Sequence, residues 1–164
     1  MYLGGLTFSI SKSFGNLQLV PEAGGLRFYY VPVVNGVEQA DALGFLNMLI
    51  PLDAVGGMWA TARAFLYGVE SLDENIIMQG AGGGGADSDT LIKLYRDKPK
   101  GQMGKLSGEE ICWLRIVTGR TEEERRRIKL GPRDLLCLEL ACHTVMSLAT
   151  LAGNHKPALP QPQS

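Results

Sequence analysis

The spacing of apolar residues changes after the Asn35-Gly36 turn, and this change constrains the fold more than any other feature. Before the turn, three segments rich in β-branched and aromatic residues are typical of strands: LTFSIS, LQLV and LRFYYVPVV. Leu6, Phe8 and Ile10 alternate with polar residues, which places these three side chains on one face. The first 36 residues therefore predict a small antiparallel hairpin or sheet.

After the turn, the apolar residues follow helical spacing. The segment VEQADALGFLNMLI predicts a helix that Pro51 ends, because proline cannot continue a helix. A second helix is predicted from Asp53 through WATARAFLY to about Gly68. A long helix from Pro132 to Ala152 is apolar nearly all round, which predicts a buried core helix instead of a membrane span.

Three Ser/Thr-x-x-Glu patterns, which begin at Ser71, Ser107 and Thr121, are typical of helix N-termini. They predict helices over 72–78, 108–118 and 122–129. A further helix is predicted for TLIKLYRD, ending before Pro99.

These elements predict an α+β fold that is mainly α, with a small N-terminal antiparallel β hairpin or sheet followed by a helical bundle. The chain has 164 residues, and its hydrophobic content of 45% is enough for one compact domain over 1–153. The predicted parts are a β-rich region 1–36, helical regions 37–79 and 88–153, a Gly-rich loop 80–87 and a Pro-rich tail 154–164.

The charges of the chain are divided unevenly along its length. Residues 1–92 carry three basic and nine acidic side chains, whereas residues 93–133 carry twelve basic and six acidic ones. Such an asymmetry favours association with an anionic partner or with a second copy of the chain. The candidate residues for binding an anionic lipid or a nucleic acid are Lys93, Arg96, Lys98, Lys100, Lys105, Arg125, Arg126 and Arg127.

Two parts of this basic band have different alternatives. In KLYRDKPKGQMGK a phosphate or lipid contact and an ordinary exposed loop are equally favoured, and Tyr95 is a candidate for stacking. In TEEERRRIKL a solvated helix is favoured over a binding helix, because Glu122–Arg126 and Glu123–Arg127 are spaced as i, i+4 ion pairs.

No catalytic residue, metal site, cofactor or small-molecule substrate is predicted. Cys137 and Cys142 lie about 140° apart around one predicted helix, so they do not converge with His143 or His155 on a zinc ion. The Gly-rich segment has neither the Gly-Lys-Ser/Thr of a Walker loop nor a dinucleotide fingerprint. The remaining enzyme hypothesis, a small enzyme of unrecognised type, would use His143.

Three segments carry a family resemblance: ALGFLNMLIP at 42–51, DTLIKLYRDKPK at 89–100 and SGEEI at 107–111, followed by a cysteine-containing apolar helix. Their order resembles that of the matrix proteins of influenza-type viruses (orthomyxoviruses) over about residues 42–152. The resemblance implies a helical, non-enzymatic shell protein that self-associates beneath a viral envelope. It also implies that Lys93, Arg96, Lys98 and Lys100 contact anionic lipid or ribonucleoprotein.

The functional expectation is thus a structural or interaction protein that self-associates and binds an anionic membrane or a ribonucleoprotein through the basic band. The alternative is an RNA-binding accessory protein that uses the same band. An intracellular, cytoplasmic location is expected, with virion or membrane association if the resemblance holds. No signal peptide or transmembrane span is predicted from the sequence.

Overall fold

The computed structural model describes residues 6–68, 72–80, 90–97 and 111–155, which form nine strands and two long helices. The strands are β1 (Phe8–Lys12), β2 (Gly15–Glu22), β3 (Gly25–Val34), β4 (Val37–Glu38), β5 (Leu46–Pro51), β6 (Glu74–Gln79), β7 (Leu91–Asp97), β8 (Ile111–Val117) and β9 (Arg125–Leu130). The helices are α1 (Leu52–Leu66) and α2 (Pro132–His155), and a 3₁₀ turn, Glu122–Glu124, precedes β9.

The strands form two antiparallel sheets. In the first sheet β1, β2 and β3 follow one another, β5 pairs with the other edge of β3, and the short β4 extends β3 as a hairpin. The second sheet has the order β6-β7-β8-β9. Each sheet is followed in the chain by one helix, so the order of elements in the first half is repeated in the second.

Alternating apolar residues give each sheet a buried inner face. In β2 Leu17 and Leu19 are fully buried, and in β7 Ile92 and Leu94 are fully buried. Both sheets contribute to one continuous hydrophobic core. Because successive side chains on a strand point to opposite faces, the residues between these positions form the outer face of each sheet.

The two helices join the sheets. Helix α1 contacts α2 and strands of both sheets, namely β3, β5, β6 and β7. Helix α2 packs mainly on α1, and among the strands it contacts β1, β2 and β3 of the first sheet and, less, β9. An ion pair of 2.5 Å between Lys12 Nζ and Asp134 Oδ2 connects the end of β1 to the first turn of α2.

One helix among the described residues, α2, is long and apolar enough over Pro132–Leu151 to cross a membrane, as core helices of soluble proteins often are. It buries Leu138 and Cys142 in the core but exposes Leu136 and Leu140. Only one face of α2 is therefore buried, although apolar residues also lie on its exposed side.

The prediction of a mainly α fold with a helical bundle is wrong, because the chain is mostly β. The three N-terminal strands and the helices after Asp53 and Pro132 are confirmed. The segments predicted as helices over 37–50, 72–78, 90–97, 108–118 and 122–129 instead overlap strands β4 to β9. Antiparallel pairing of these segments buries their alternating apolar residues, and this tertiary burial overrides the local helix signals. The single domain over 1–153 stays a prediction.

The three predicted capping patterns do not begin helices among the described residues. Ser71 and Ser107 lie outside these residues. The Thr121 hydroxyl donates to the Glu124 carboxylate at 2.6 Å, but the turn they form is a single 3₁₀ turn that continues as β9. A local hydrogen bond of this kind stabilises a turn but does not determine whether a helix or a strand comes after it.

Residues 81–87 of the predicted Gly-rich loop and residues 156–164 of the predicted tail lie outside the described residues. Helix α2 extends to His155, two residues into the predicted tail.

Candidate functional site

The outer face of the second sheet gathers most of its exposed cations. Along β7, β8 and β9 the even-numbered residues are buried, so the odd-numbered residues form the outer face. We call this surface the basic face and define it by seven residues: Lys93, Tyr95, Trp113, Arg115, Arg125, Arg127 and Lys129.

Strand register places the aromatic residues at the centre of the basic face. Tyr95 lies opposite Trp113, which lies opposite Lys129 on the next strand. The neighbouring row consists of Lys93, Arg115 and Arg127. Side chains directly opposite one another on antiparallel strands are about 5 Å apart at Cβ, so these two rows form one surface.

Arg127 lies across the aromatic pair. Its guanidinium carbon is 4.2 Å from the centroid of the Trp113 ring, and its Nε donates a hydrogen bond of 2.8 Å to the Tyr95 hydroxyl. Lys93 Nζ is 5.2 Å from the centroid of the Tyr95 ring. Cation–π contacts of this geometry hold cations above aromatic faces while leaving the remaining donors free for an anion.

The basic face has more cations than carboxylates to balance them. Lys93 pairs with Glu74 at 2.8 Å, and Arg127 lies 3.8 Å from Asp97. Within the described residues, no carboxylate pairs with the three other cations: Arg115, Arg125 and Lys129. The described part of this surface therefore carries an excess of positive charge, whose field salt screens.

Two arginines of the predicted band, Arg96 and Arg126, point to the inner face and are each only 4% exposed. Arg96 lies 3.5 Å from Asp73 and 5.2 Å from the Phe65 ring centroid. Because β7 and β9 are strands, neighbouring residues lie on opposite faces, and the predicted continuous band is divided between the surface and the core.

Arg126 joins the second sheet to the loop that precedes β5. Its Nε donates to the Gly44 carbonyl at 2.6 Å, and Nη2 donates to the Phe45 carbonyl at 3.3 Å. Nη1 donates to the Thr118 hydroxyl at 2.9 Å. Burial lowers the pKa of Arg126 from its usual range, and burial also raises the pKa of the adjacent Tyr30. Arg126 is consequently a structural residue.

The other predicted site residues are divided between the basic face and undescribed parts of the chain. Lys93, Arg125 and Arg127 lie on the basic face, while Lys98, Lys100 and Lys105 lie outside the described residues. The predicted ion pairs of Arg126 with Glu122 and of Arg127 with Glu123 require a helix that does not form.

The sequence-based reasoning missed Trp113, Arg115 and Lys129 as site residues. The signal that could have found them is the alternation in CWLRI and RRRIKL. Every second residue of these segments is apolar, except Arg126, which occupies a core position. In the helical interpretation these side chains are distributed around an axis, whereas in the sheet they lie side by side.

The alternative catalytic residue, His143, is exposed on α2, and its ring centroid is 5.4 Å from that of Trp59. The adjacent Cys142 is fully buried, and burial raises the pKa of its thiol far above the ordinary value. Such a thiol is protonated at neutral pH. Among the described residues, no group of His, Cys, Asp and Glu is arranged to hold a metal ion.

Comparison of the chain with protein-family models, with curated proteins and with solved structures gives no match. The two segments that carry most of the matrix-protein resemblance contain strands β5 and β7, whereas that resemblance implies helices there.

Proposed function

We propose that the protein binds single-stranded nucleic acid, and RNA in particular, on the basic face. The observation that carries this proposal is the Tyr95–Trp113 pair at the centre of a sheet face surrounded by cations. Proteins that bind single strands combine basic residues along the phosphate backbone with aromatic rings on which bases stack.

The arrangement of charges suits an extended strand. Arg115, Arg125 and Lys129 lie on two adjacent strands without a described carboxylate partner, so each is available to a phosphate oxygen. Arg127 already stacks on Trp113, and a planar guanidinium can keep that stacking while it donates to a phosphate. Because Arg127 covers Trp113, a base would stack on the outer face of the Arg127 guanidinium, beside the other cations of the sheet.

The single strand is favoured over the duplex by the shape of the site. Reading of duplex DNA generally places a helix or a narrow β ribbon in the major groove. The basic face is one side of a four-stranded sheet, and its aromatic rings can contact bases only where these are unstacked.

The test is fluorescence anisotropy with a labelled single-stranded RNA of about twelve nucleotides, over salt concentrations from ~0.05 to ~0.3 M. The triple variant Arg115→Gln/Arg125→Gln/Lys129→Gln removes three cations from the basic face. The matched triple variant Ser11→Glu/Gln18→Glu/Asn47→Glu changes the net charge by the same amount on the outer face of the first sheet.

For the basic-face variant we expect the slope of log affinity against log salt to become shallower by about 2, since each phosphate contact to a single strand contributes about 0.7. The same relation gives a loss of affinity on the order of 50-fold at ~0.15 M salt. The matched variant should stay within about twofold. Equal losses in the two variants would show that only net charge matters, and would overturn the proposal.

An anionic membrane is the competing partner, and the same variants distinguish it. Phosphatidylserine vesicles replace RNA in a co-sedimentation assay over the same salt series. Binding to vesicles without binding to RNA would assign the basic face to a membrane and would refute nucleic-acid binding. Binding to single-stranded RNA without comparable binding to duplex RNA supports the proposal.

The self-associating shell protein implied by the matrix-protein resemblance stays a prediction. Light scattering at low and high salt measures it directly, because association between acidic and basic surfaces weakens when salt screens them. A mass that stays at 17.8 kDa at low salt would contradict self-association.

A further inference from the structure

A cleft of about 410 Å³ opens beside the basic face, at the edge of the second sheet. Arg125 and Arg127 of β9 belong both to the basic face and to the wall of this cleft. The opposite wall comes from the first sheet and includes Phe14, Pro32 and Val34. The cleft therefore continues the basic face and is large enough for a small organic group.

The inner end of the cleft is formed by Tyr30 and Arg126, both buried. The Arg126 guanidinium is 5.8 Å from the Tyr30 ring centroid and is fixed by the carbonyls of Gly44 and Phe45. These contacts hold the loop before β5 against β9. The cleft is consequently preformed, which reduces the ordering cost of binding a ligand.

The chemistry of the walls selects a flat, uncharged ligand group. Phe14 is 48% exposed at the mouth and offers an aromatic face. Glu122 and Glu123 also line the cleft, so a phosphate that entered it would meet two carboxylates. Anionic groups are favoured at Arg125 and Arg127 on the rim, and apolar or aromatic groups are favoured inside.

We propose that the cleft takes one unstacked nucleobase of the strand that lies on the basic face, while the phosphates on either side of that nucleotide contact Arg125 and Arg127. This inference rests on the proposed function and adds a defined position to it. One nucleotide of the bound strand then differs from the others, because its base leaves the sheet surface and stacks on Phe14.

The experiment scans a single abasic nucleotide along the labelled RNA and measures affinity by anisotropy at each position. We expect one position, or two adjacent ones, at which removal of the base weakens binding by about tenfold, in line with the loss of one base–aromatic stack. The Phe14→Ala variant should bind the intact RNA about tenfold more weakly and should show no additional loss at that position.

Phe45→Ala is the matched control, because Phe45 is also an exposed aromatic of the first half but does not line the cleft. Its carbonyl still accepts from Arg126 in the variant. A second readout uses 2-aminopurine at the sensitive position, whose fluorescence should be quenched on binding to the natural chain and to Phe45→Ala but less on binding to Phe14→Ala.

The outcomes separate the two proposals. If RNA does not bind at any salt concentration, the proposed function fails. If RNA binds through the basic face but the abasic scan is flat, or if Phe14→Ala and Phe45→Ala behave alike, the function stands and the nucleobase cleft is wrong. A nucleoside monophosphate that binds as tightly as the strand, and loses affinity in Phe14→Ala, would make the cleft a free-nucleotide site and would also overturn the inference.

Discussion

The two sheets have similar inner faces and very different outer faces. On the outer face of the first sheet, Gln18, Tyr29 and Asn47 form a cross-strand row, and the cation Arg27 pairs with Glu22. The corresponding row of the second sheet contains Tyr95, Trp113 and Lys129. Both outer faces therefore carry aromatic residues, but only the second one surrounds them with cations that lack described partners.

The charge of the second sheet is not required for making a sheet of this kind. The first sheet folds against the same pair of helices with an almost uncharged outer face. Outer-face residues contribute little to the core, so folding alone does not account for the five cations of the basic face.

The largest expected effect concerns the inner faces, which should respond alike. Leu19→Ala in β2 and Leu94→Ala in β7 each remove a fully buried side chain from the second strand of a sheet. Each should lower the free energy of unfolding by about 2–5 kcal/mol, measured by urea denaturation. The exposed Gln18→Ala should change it by less than about 0.5 kcal/mol. A separate unfolding transition for either sheet would contradict the expectation that the two inner faces respond alike.

The next effect concerns the outer-face aromatics of the third strands. Trp113→Ala removes a stacking surface from the basic face and should weaken RNA binding by about 10- to 100-fold, since one stacked base is worth ~1–3 kcal/mol. Tyr29→Ala, the matched change on β3, should alter binding less than about twofold. Anisotropy titrations at one salt concentration measure both, and comparable losses would contradict a site confined to the second sheet.

A smaller effect separates Arg115 on β8 from Arg27 on β3. Arg115→Gln should make the salt dependence shallower by about 0.7 and weaken binding by about fourfold at ~0.15 M salt, because one phosphate contact is lost. Arg27→Gln should leave both quantities unchanged, since Arg27 is already paired with Glu22 and bonded to Asn47. An equal change in slope for Arg27→Gln would mean that the strand also contacts the first sheet.

The smallest effect comes from removing a carboxylate that competes with the strand. Glu74→Gln frees Lys93 from a 2.8 Å ion pair and should tighten RNA binding by about twofold, the scale expected for an exposed pair. Glu22→Gln removes the corresponding carboxylate from the first sheet and should have no effect on affinity. Weaker binding of Glu74→Gln would show that Glu74 positions Lys93 instead of competing for it.

The sequence predicted the first three strands because their aromatic and β-branched residues alternate between clear Gly and Asn turn signals. It did not predict β9, because Arg126 occupies a core position and conceals the alternation of RRRIKL. The order of the second sheet depends on pairing between segments separated by many residues. A local pattern contains no direct information about such pairing. The capping patterns at Ser71, Ser107 and Thr121 therefore predict helices in segments that pair as strands.

The candidate site was predicted only in part, for the same reason. The excess of positive charge over 93–133 pointed to Lys93, Arg125 and Arg127, which lie on the same face of the second sheet. The face that a side chain occupies could not be derived while β7 and β9 were interpreted as helices, so Arg96 and Arg126 were grouped with the surface residues. Trp113 was not predicted as a site residue, because its place beside Tyr95 depends entirely on the register of β7 and β8.

The strict alternation of β9 has a consequence for how this protein can change. Replacing Arg125, Arg127 or Lys129 alters the charge of the outer surface and leaves the interior intact. A single-residue insertion or deletion before Arg126 would exchange the two sets, turning Ile128 and Leu130 to solvent and driving cations into the interior. The charge of this surface can therefore diverge rapidly through point substitutions, whereas changes in the length of the strand should cause misfolding.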